Sequence, residues 1–233
     1  TASFTVGAVG HGERWLPDGD GRAPVEHGRQ GDRTRFTLRF EAQELVPLIL
    51  RDRPGESPAS YRDVREIALS GPFRFSVEET LRRPEVAWNF SVDQEGLEYS
   101  KAPALHAPET LDPGDWCRNG LTHFSGIGIY ETEFAAPEVP TGGRVLIDLG
   151  DVRNTAEVRV NGESAGITFF EPHRLEITER LRPGTNTLTV RIANTLSNFM
   201  AQFPVFQDKP LNKGGDFPER RVSGLLGPVK LVV

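Results

Sequence analysis

The sequence predicts an all-β protein. Most of the chain reads as an antiparallel sandwich or jelly roll, preceded by strands of a smaller sandwich. Three observations predict it. Ala156, Val158 and Val160 alternate with Glu157 and Arg159, and Leu188, Val190 and Ile192 alternate with Thr189 and Arg191. This period of two belongs to strands with one buried and one wet face. Turn signals separate such runs: Asn161-Gly162 is a strong hairpin signal, and Arg182-Pro183-Gly184 presets the dihedrals of a second turn. Finally, 24 Gly and 18 Pro suit many short connections, and no long amphipathic helix pattern occurs.

The elements follow in order. Thr1 to Val9 reads as a strand, Gly10 to Gly31 as loops rich in Gly, Asp and Pro, and Thr34 to Phe40 as a strand with Phe36, Leu38 and Phe40 on one face. Leu45 to Leu50 is an apolar run broken by Pro47, which suits an edge strand. Arg51 to Arg65 reads as a surface connection, which puts a boundary near Glu66 and divides the chain into residues 1–66 and 67–233.

Beyond the boundary, Phe73, Phe75 and Val77 alternate as a strand, Val86 to Phe90 suits a short one, and Tyr99 to Asp115 reads as a long loop. Ile127, Ile129 and Glu131 face opposite to Gly128, Tyr130 and Thr132. Val145 to Leu149 is a short strand stopped by Gly150. Ala165 to Phe170 returns from the hairpin, Leu175 and Ile177 open another strand, and Val222 to Val233 forms the last. Leu196 to Phe206 is the best candidate for helix or irregular structure.

Composition excludes several function classes. The net charge of −6 with interspersed signs gives no basic patch for nucleic acid. No apolar run reaches the ~20 residues of a membrane-spanning helix. The single Cys117 excludes an intrachain disulfide framework and two-cysteine metal motifs.

Two stretches, LGDVRNTAEVRVNGESAG and, after a Pro, ITERLRPGTNTLTVRIANT, resemble the sugar-binding jelly roll of family 2 glycoside hydrolases. They resemble still more the C-terminal jelly roll of the family 106 α-L-rhamnosidases. His123-Phe124-Ser125-Gly126-Ile127-Gly128-Ile129-Tyr130 is similar to the entry into that domain, and Ser223-Gly224-Leu225-Leu226-Gly227-Pro228-Val229-Lys230-Leu231 to its closing strand. The resemblance covers residues 70–233 best. It implies a galactose-binding-like jelly roll, the non-catalytic C-terminal region of a larger enzyme whose catalytic barrel lies upstream. The first residue, Thr1, with no Met and no leader before it, fits that expectation. The resemblance also implies carbohydrate as ligand, a periplasmic or secreted location, no required cofactor, and a structural calcium whose ligands the sequence does not identify. The chain departs from the family at Asn198-Phe199-Met200-Ala201-Gln202, where the family shows an N-x-L-x-G-D run.

Candidate chemistry is sparse. Glycoside hydrolysis needs two facing carboxyl groups roughly 5–9.5 Å apart. Glu131 and Glu133 at i and i+2 of a strand are about 7 Å apart, yet alternating acids also suit a solvated face. Asp148 and Asp151 suit turn capping. His11, His27, His106, His123 and His173 lack zinc-ligand spacing, and Ser125 lacks the first Gly of a nucleophile elbow. Cys117 has no base that can be named for it. The Trp15–Gly21 loop is Asp- and Gly-rich but lacks the EF-hand spacing and its distal Glu. Sugar recognition is better supported, because aromatic platforms and planar amides match the apolar faces and hydroxyls of sugars. The candidates are Phe169 and Phe170, adjacent at the end of the return strand so that one must face outward, with Trp116, His173 and Asn198 in the loops or irregular stretches beside strands. A second reading has Phe169, Trp116 and Phe199 packing against the upstream barrel. A stand-alone carbohydrate-binding module or lectin, and a structural spacer, remain as alternatives.

Overall fold

A computed structural model describes residues 1–15, 22–38, 46–52, 65–82, 98–100, 107–201 and 221–233. The N-terminal part contributes β1 (Ala2–Val6), β2 (His11–Trp15), β3 (Arg22–Pro24), β4 (His27–Gln30), β5 (Arg33–Leu38) and β6 (Leu48–Arg51). They form two three-stranded sheets, ordered β1-β5-β4 and β3-β2-β6. Their small core is Val25, Phe36 and Leu38, with Phe4, Val6, Val46, Leu48 and Leu50 packed against it. β5 alternates as expected, and β6 is an edge strand.

The stretch from Gly10 to Gly31, expected as loops, contains three of these strands. The pattern was hidden because Gly12 takes an inward position where the Phe36 ring leaves no room for a side chain. A strand that buries a glycine against a neighbour's ring shows no apolar alternation.

The larger part contributes β7 (Glu66–Ala68), β8 (Arg74–Arg82), β9 (Glu98–Ser100), β10 (Gly126–Ala135), β11 (Leu146–Asp148), β12 (Asp151–Arg153), β13 (Thr155–Val160), β14 (Glu163–Thr168), β15 (Arg174–Glu176), β16 (Thr185–Ala193), β17 (Gly224–Gly227) and β18 (Lys230–Val232). A six-stranded sheet runs β14-β13-β16-β10-β8-β9, a four-stranded sheet runs β15-β11-β18-β7, and β12 pairs with β17. The order is that of an antiparallel jelly roll, with sequential strands often in different sheets. Arg65 exchanges backbone hydrogen bonds with Val233, so this sandwich begins where the last strand ends.

Register turns the sequence alternation into one core. Tyr130 lies opposite Val190, which lies opposite Val158; Thr132, Leu188 and Val160 form the next rung. From the other sheets, Ile147, Leu175, Leu231, Val152 and Leu225 close on the same cluster. The outer face of the six-stranded sheet carries charge instead. Arg191 bridges Glu78 and Glu157, and Arg159 also bonds Glu157. Burial raises the Glu157 carboxyl, but hydrogen bonds from Arg159 and Arg191 outweigh it and hold the group below its ordinary value.

Two expected strands are corrected, and one helical expectation is met over its described residues. The strand expected to run to Phe170 ends at Thr168. The last strand is two, β17 and β18, in different sheets, because Pro228 has no N–H to continue a ladder. The stretch after Thr195 contains one helical turn, Ser197–Met200, here α1. The expected strand Val86 to Phe90 lies outside the described residues.

Candidate functional site

One end of the larger sandwich gathers the most chemistry. β12 ends there at Arg153 and β13 starts at Thr155, β14 ends at Thr168, β16 ends at Ala193, and β10 and β17 begin. Between them opens a cleft of about 590 Å³, lined by Asp151, Arg153, Asn154, Thr195, Ser197 and Arg221 together with Asn194, Asn198 and Ser223. That volume lies in the range of small-ligand sites, about 300–1,000 Å³.

The polar groups here divide into two sets. Asn194 is spent on the fold: its Nδ2 donates to the Phe124 carbonyl and to Ser223 Oγ at 2.8 Å each, and its Oδ1 accepts from Gly126 N at 2.9 Å. Asn198 is spent likewise, donating to the Arg221 carbonyl at 2.8 Å and accepting from Arg221 N at 2.6 Å. Ser125 donates to the Thr195 carbonyl and accepts from Phe199 N, which ties α1 down. By contrast, the side chains of Asn154, Thr195 and Ser197 and the Arg221 guanidinium form no hydrogen bond with any described residue. Arg153 donates one Nη2 hydrogen bond to Asp151 Oδ2 at 2.7 Å and stays half-exposed, while Asp151 Oδ1 is buried with no partner.

The five sugar-site candidates fare differently. Phe169 and Phe170 are 44% and 51% exposed, with ring centroids 4.7 Å apart. Both point outward because β14 stops one residue before them. They lie beside the cleft, since Thr168 pairs with Ala156, two residues after Asn154.

Trp116 is corrected. It sits in a 3-10 turn (Trp116–Asn119), is 0% exposed, and packs edge-on to Phe75 and Phe124. Its Nε1–H donates to the Tyr130 hydroxyl at 2.6 Å. Gly128 and Gly224 leave its ring the space, as a Cβ on either would lie under 3 Å from it. It is a core residue with no face for a sugar. Burial pushes the Tyr130 phenol well above its ordinary value.

His173 and Asn198 are corrected for the same reason. His173 is 4% exposed, and its Nδ1 lies 3.0 Å from Thr168 Oγ1. Burial lowers its pKa, against the opposing charges of Glu171, Asp151 and Asp148. Asn198 is 2% exposed, and its amide is taken up by the Arg221 backbone and the Cys117 sulfur. Arg153, Asn154, Thr195, Ser197 and Arg221 were not singled out from the sequence. Arg153 and Asn154 have one signal there, the short polar run Arg153 to Thr155 before an apolar strand; Thr195, Ser197 and Arg221 have none.

The cleft holds one carboxylate among its described lining residues, Asp151, and acid/base glycoside hydrolysis needs two. Glu131 faces away on the outer side of β10 and pairs with Arg74 at 3.0 Å, and Glu133 is exposed on the same face. Asp148 caps its turn, accepting from Gly150 N at 2.9 Å and Arg174 Nε at 2.8 Å. Among the described residues no three His, Cys, Asp or Glu side chains come together to hold a metal ion. The calcium that the resemblance implies is held by carbonyls and one carboxylate, a different kind of site, and the Leu16–Gly21 part of the Asp/Gly loop lies outside the described residues. No helix among them is long and apolar enough to cross a membrane.

Residues 128–213 match the family described as glycosyl hydrolase 2 galactose-binding domain-like. The matched segment runs from within β10 through α1 and includes the cleft residues from Asp151 to Asn198. A candidate beta-glucuronidase of Formosa agariphila is 29% identical over 145 residues, which is 49% of this chain and 12% of that protein. Among solved structures, the rhamnosidase from Novosphingobium sp. PP1Y aligns over 98% of this chain and 21% of its own, with a TM-score of 0.61 and 24% identity. The Bifidobacterium dentium beta-glucuronidase aligns over 75% of this chain and 31% of its own, with a TM-score of 0.45 and 21% identity. The chain thus carries a galactose-binding-like β-sandwich of the type found in glycoside hydrolases, and it spans well under two thirds of each of these proteins.

Proposed function

We propose that this chain is a non-catalytic accessory region of a glycoside hydrolase resembling the α-L-rhamnosidases, whose two catalytic carboxylates lie in a separate barrel. The observation that carries the reading is the fold likeness to the Novosphingobium rhamnosidase, which takes in 98% of this chain but only 21% of that one. The single carboxylate among the cleft's described lining residues points the same way. In this reading residues 1–66 and 67–233 form two β units, the barrel and a glycan are the partners, and the parent acts in the periplasm or outside the cell.

The test is hydrolysis of p-nitrophenyl α-L-rhamnoside by the 233-residue chain beside the complete product of its gene. Turnover by the complete product alone supports the proposal. Turnover by the 233 residues alone overturns it. A second reading, a carbohydrate-binding module independent of any barrel, draws on the exposed Phe169–Phe170 pair beside an amide-rich cleft. A gene product that binds saccharides and cleaves no glycoside would favour it.

A further inference from the structure

We propose that the cleft is a glycan-binding site in which Arg153, Asn154, Thr195 and Ser197 bond sugar hydroxyls, while the Phe169–Phe170 pair takes the apolar C–H face of an adjoining sugar residue. It rests on the reading above only for the class of ligand. The placement comes from the division of polar groups. In this crowded end the fold uses both N–H donors of the Asn194 and Asn198 amides and one acceptor bond on each amide oxygen, and leaves the side chains of Asn154, Thr195 and Ser197 unspent on any described residue.

The unspent groups are complementary to a polyol. A hydroxyl both donates and accepts, and so needs partners of both kinds within a few ångströms. Asn154 offers an amide oxygen and two N–H donors, Thr195 and Ser197 offer hydroxyls, and Arg153 offers guanidinium donors. Asp151 fixes that guanidinium through one bond of 2.7 Å, so the arginine meets a ligand already oriented. The aromatic pair adds what hydroxyl bonding lacks. Two phenylalanines lie against one another in water with about half of each exposed, a cost that a sugar's apolar face would relieve. The pair follows directly on Thr168, whose strand partner Ala156 lies two residues after Asn154, so platform and cleft adjoin. A net charge of −6 disfavours a polyanion as occupant.

The test is an NMR titration of the ¹⁵N-labelled 233-residue chain with methyl α-L-rhamnopyranoside, methyl β-D-galactopyranoside and methyl β-D-glucuronopyranoside. The expected result is saturable shifts at Arg153, Asn154, Thr195 and Ser197 with at least one of the three. Asn154→Ala and Arg153→Ala should each weaken that affinity about tenfold, the loss of one good polar contact, with an unchanged melting temperature. Phe169→Ala/Phe170→Ala should weaken it severalfold. No binding by any of the three overturns the proposal, as do shifts confined to another surface or undiminished affinity in both single variants. Cleft binding with no glycosidase activity in the complete gene product would leave this proposal standing and remove the parent-enzyme reading. Rhamnoside hydrolysis without cleft binding would do the reverse.

Discussion

The two ends of the larger sandwich are built from the same residue types and use them differently. At the hairpin end, Asn161 and Asn186 form a closed set. Asn161 Nδ2 donates to the Arg180 carbonyl at 2.8 Å and to Asn186 Oδ1 at 2.7 Å, and Asn161 Oδ1 accepts from Thr187 N. Asn186 Nδ2 donates to the Arg182 and Gly184 carbonyls, and its Oδ1 also accepts from Arg182 N. Asn161 and Gly162, with φ of 54° and 82°, make the turn such a pair is chosen for. At the cleft end, Asn194 and Asn198 do comparable work, but Asn154, Thr195 and Ser197 are left over. Fold stability explains the first end completely and the second only in part. The surplus is what a binding site requires.

Substitutions that separate the two uses sharpen this comparison. The largest effect is expected beneath the cleft end. Trp116→Ala empties the space between Gly128, Gly224 and Phe124 and leaves the buried Tyr130 hydroxyl without its donor. A loss of about 3–5 kcal/mol is expected from the cavity alone, read as a lower urea midpoint. A stable variant would mean that the indole is not part of the core. Next is Asn186→Ala at the hairpin end. The residue is 0% exposed and serves three backbone groups, so about 1–3 kcal/mol should be lost as those groups go unpaired. Saccharide affinity should not change, since the hairpin lies at the other end of the strands.

A smaller effect depends on pH. Burial holds the His173 pKa below its unfolded value of 6.5. Below pH 6.5 the unfolded chain takes up a proton that the native one resists, so the stability due to neutral His173 is full above that pH. It is lost as pH falls from 6.5 through the folded value. In His173→Gln, melting temperatures between pH 7.5 and pH 5 should decline less steeply than in the unsubstituted protein. An unaltered decline would assign the acid sensitivity elsewhere.

What the sequence showed follows from which forces leave a linear trace. Alternation at Ala156–Val160 and Leu188–Ile192 is local, and the structure keeps it as the inward rungs of β13 and β16. The turn at Asn161-Gly162 is local as well. Gly12 against Phe36 is not: its meaning depends on a ring 24 residues away, so three short strands read as loop. The site failed for a similar reason. Trp116 sits in a Pro/Gly/Asp stretch that looks like surface, and only the closing of β17 and β10 over it makes it core. Asn198 looks available until Arg221, 23 residues on, returns to bond its amide. Of Phe169 and Phe170 the sequence expects one to face outward, since adjacent residues of a strand cannot both turn inward; both are exposed because β14 ends at Thr168. Asn154 carries no such mark, since a polar residue between two strands has the same appearance whether a ligand needs it or water does.

Asn154→Ala is therefore the substitution with the smallest expected effect on the fold and the sharpest test of the comparison. Its side chain has no described partner, so stability should move by no more than about 0.5 kcal/mol, the range of surface changes that break no packing, cap or network. The equivalent truncation at Asn186 should cost severalfold more, although both remove the same amide. If thermal melts show the two variants equally destabilised, the unspent amide is holding the cleft end together, and the division between structural and surplus groups fails. If Asn154→Ala melts with the unsubstituted protein, its amide contributes nothing to folding. Its placement between Arg153 and the first rung of β13 is then left for a ligand to explain.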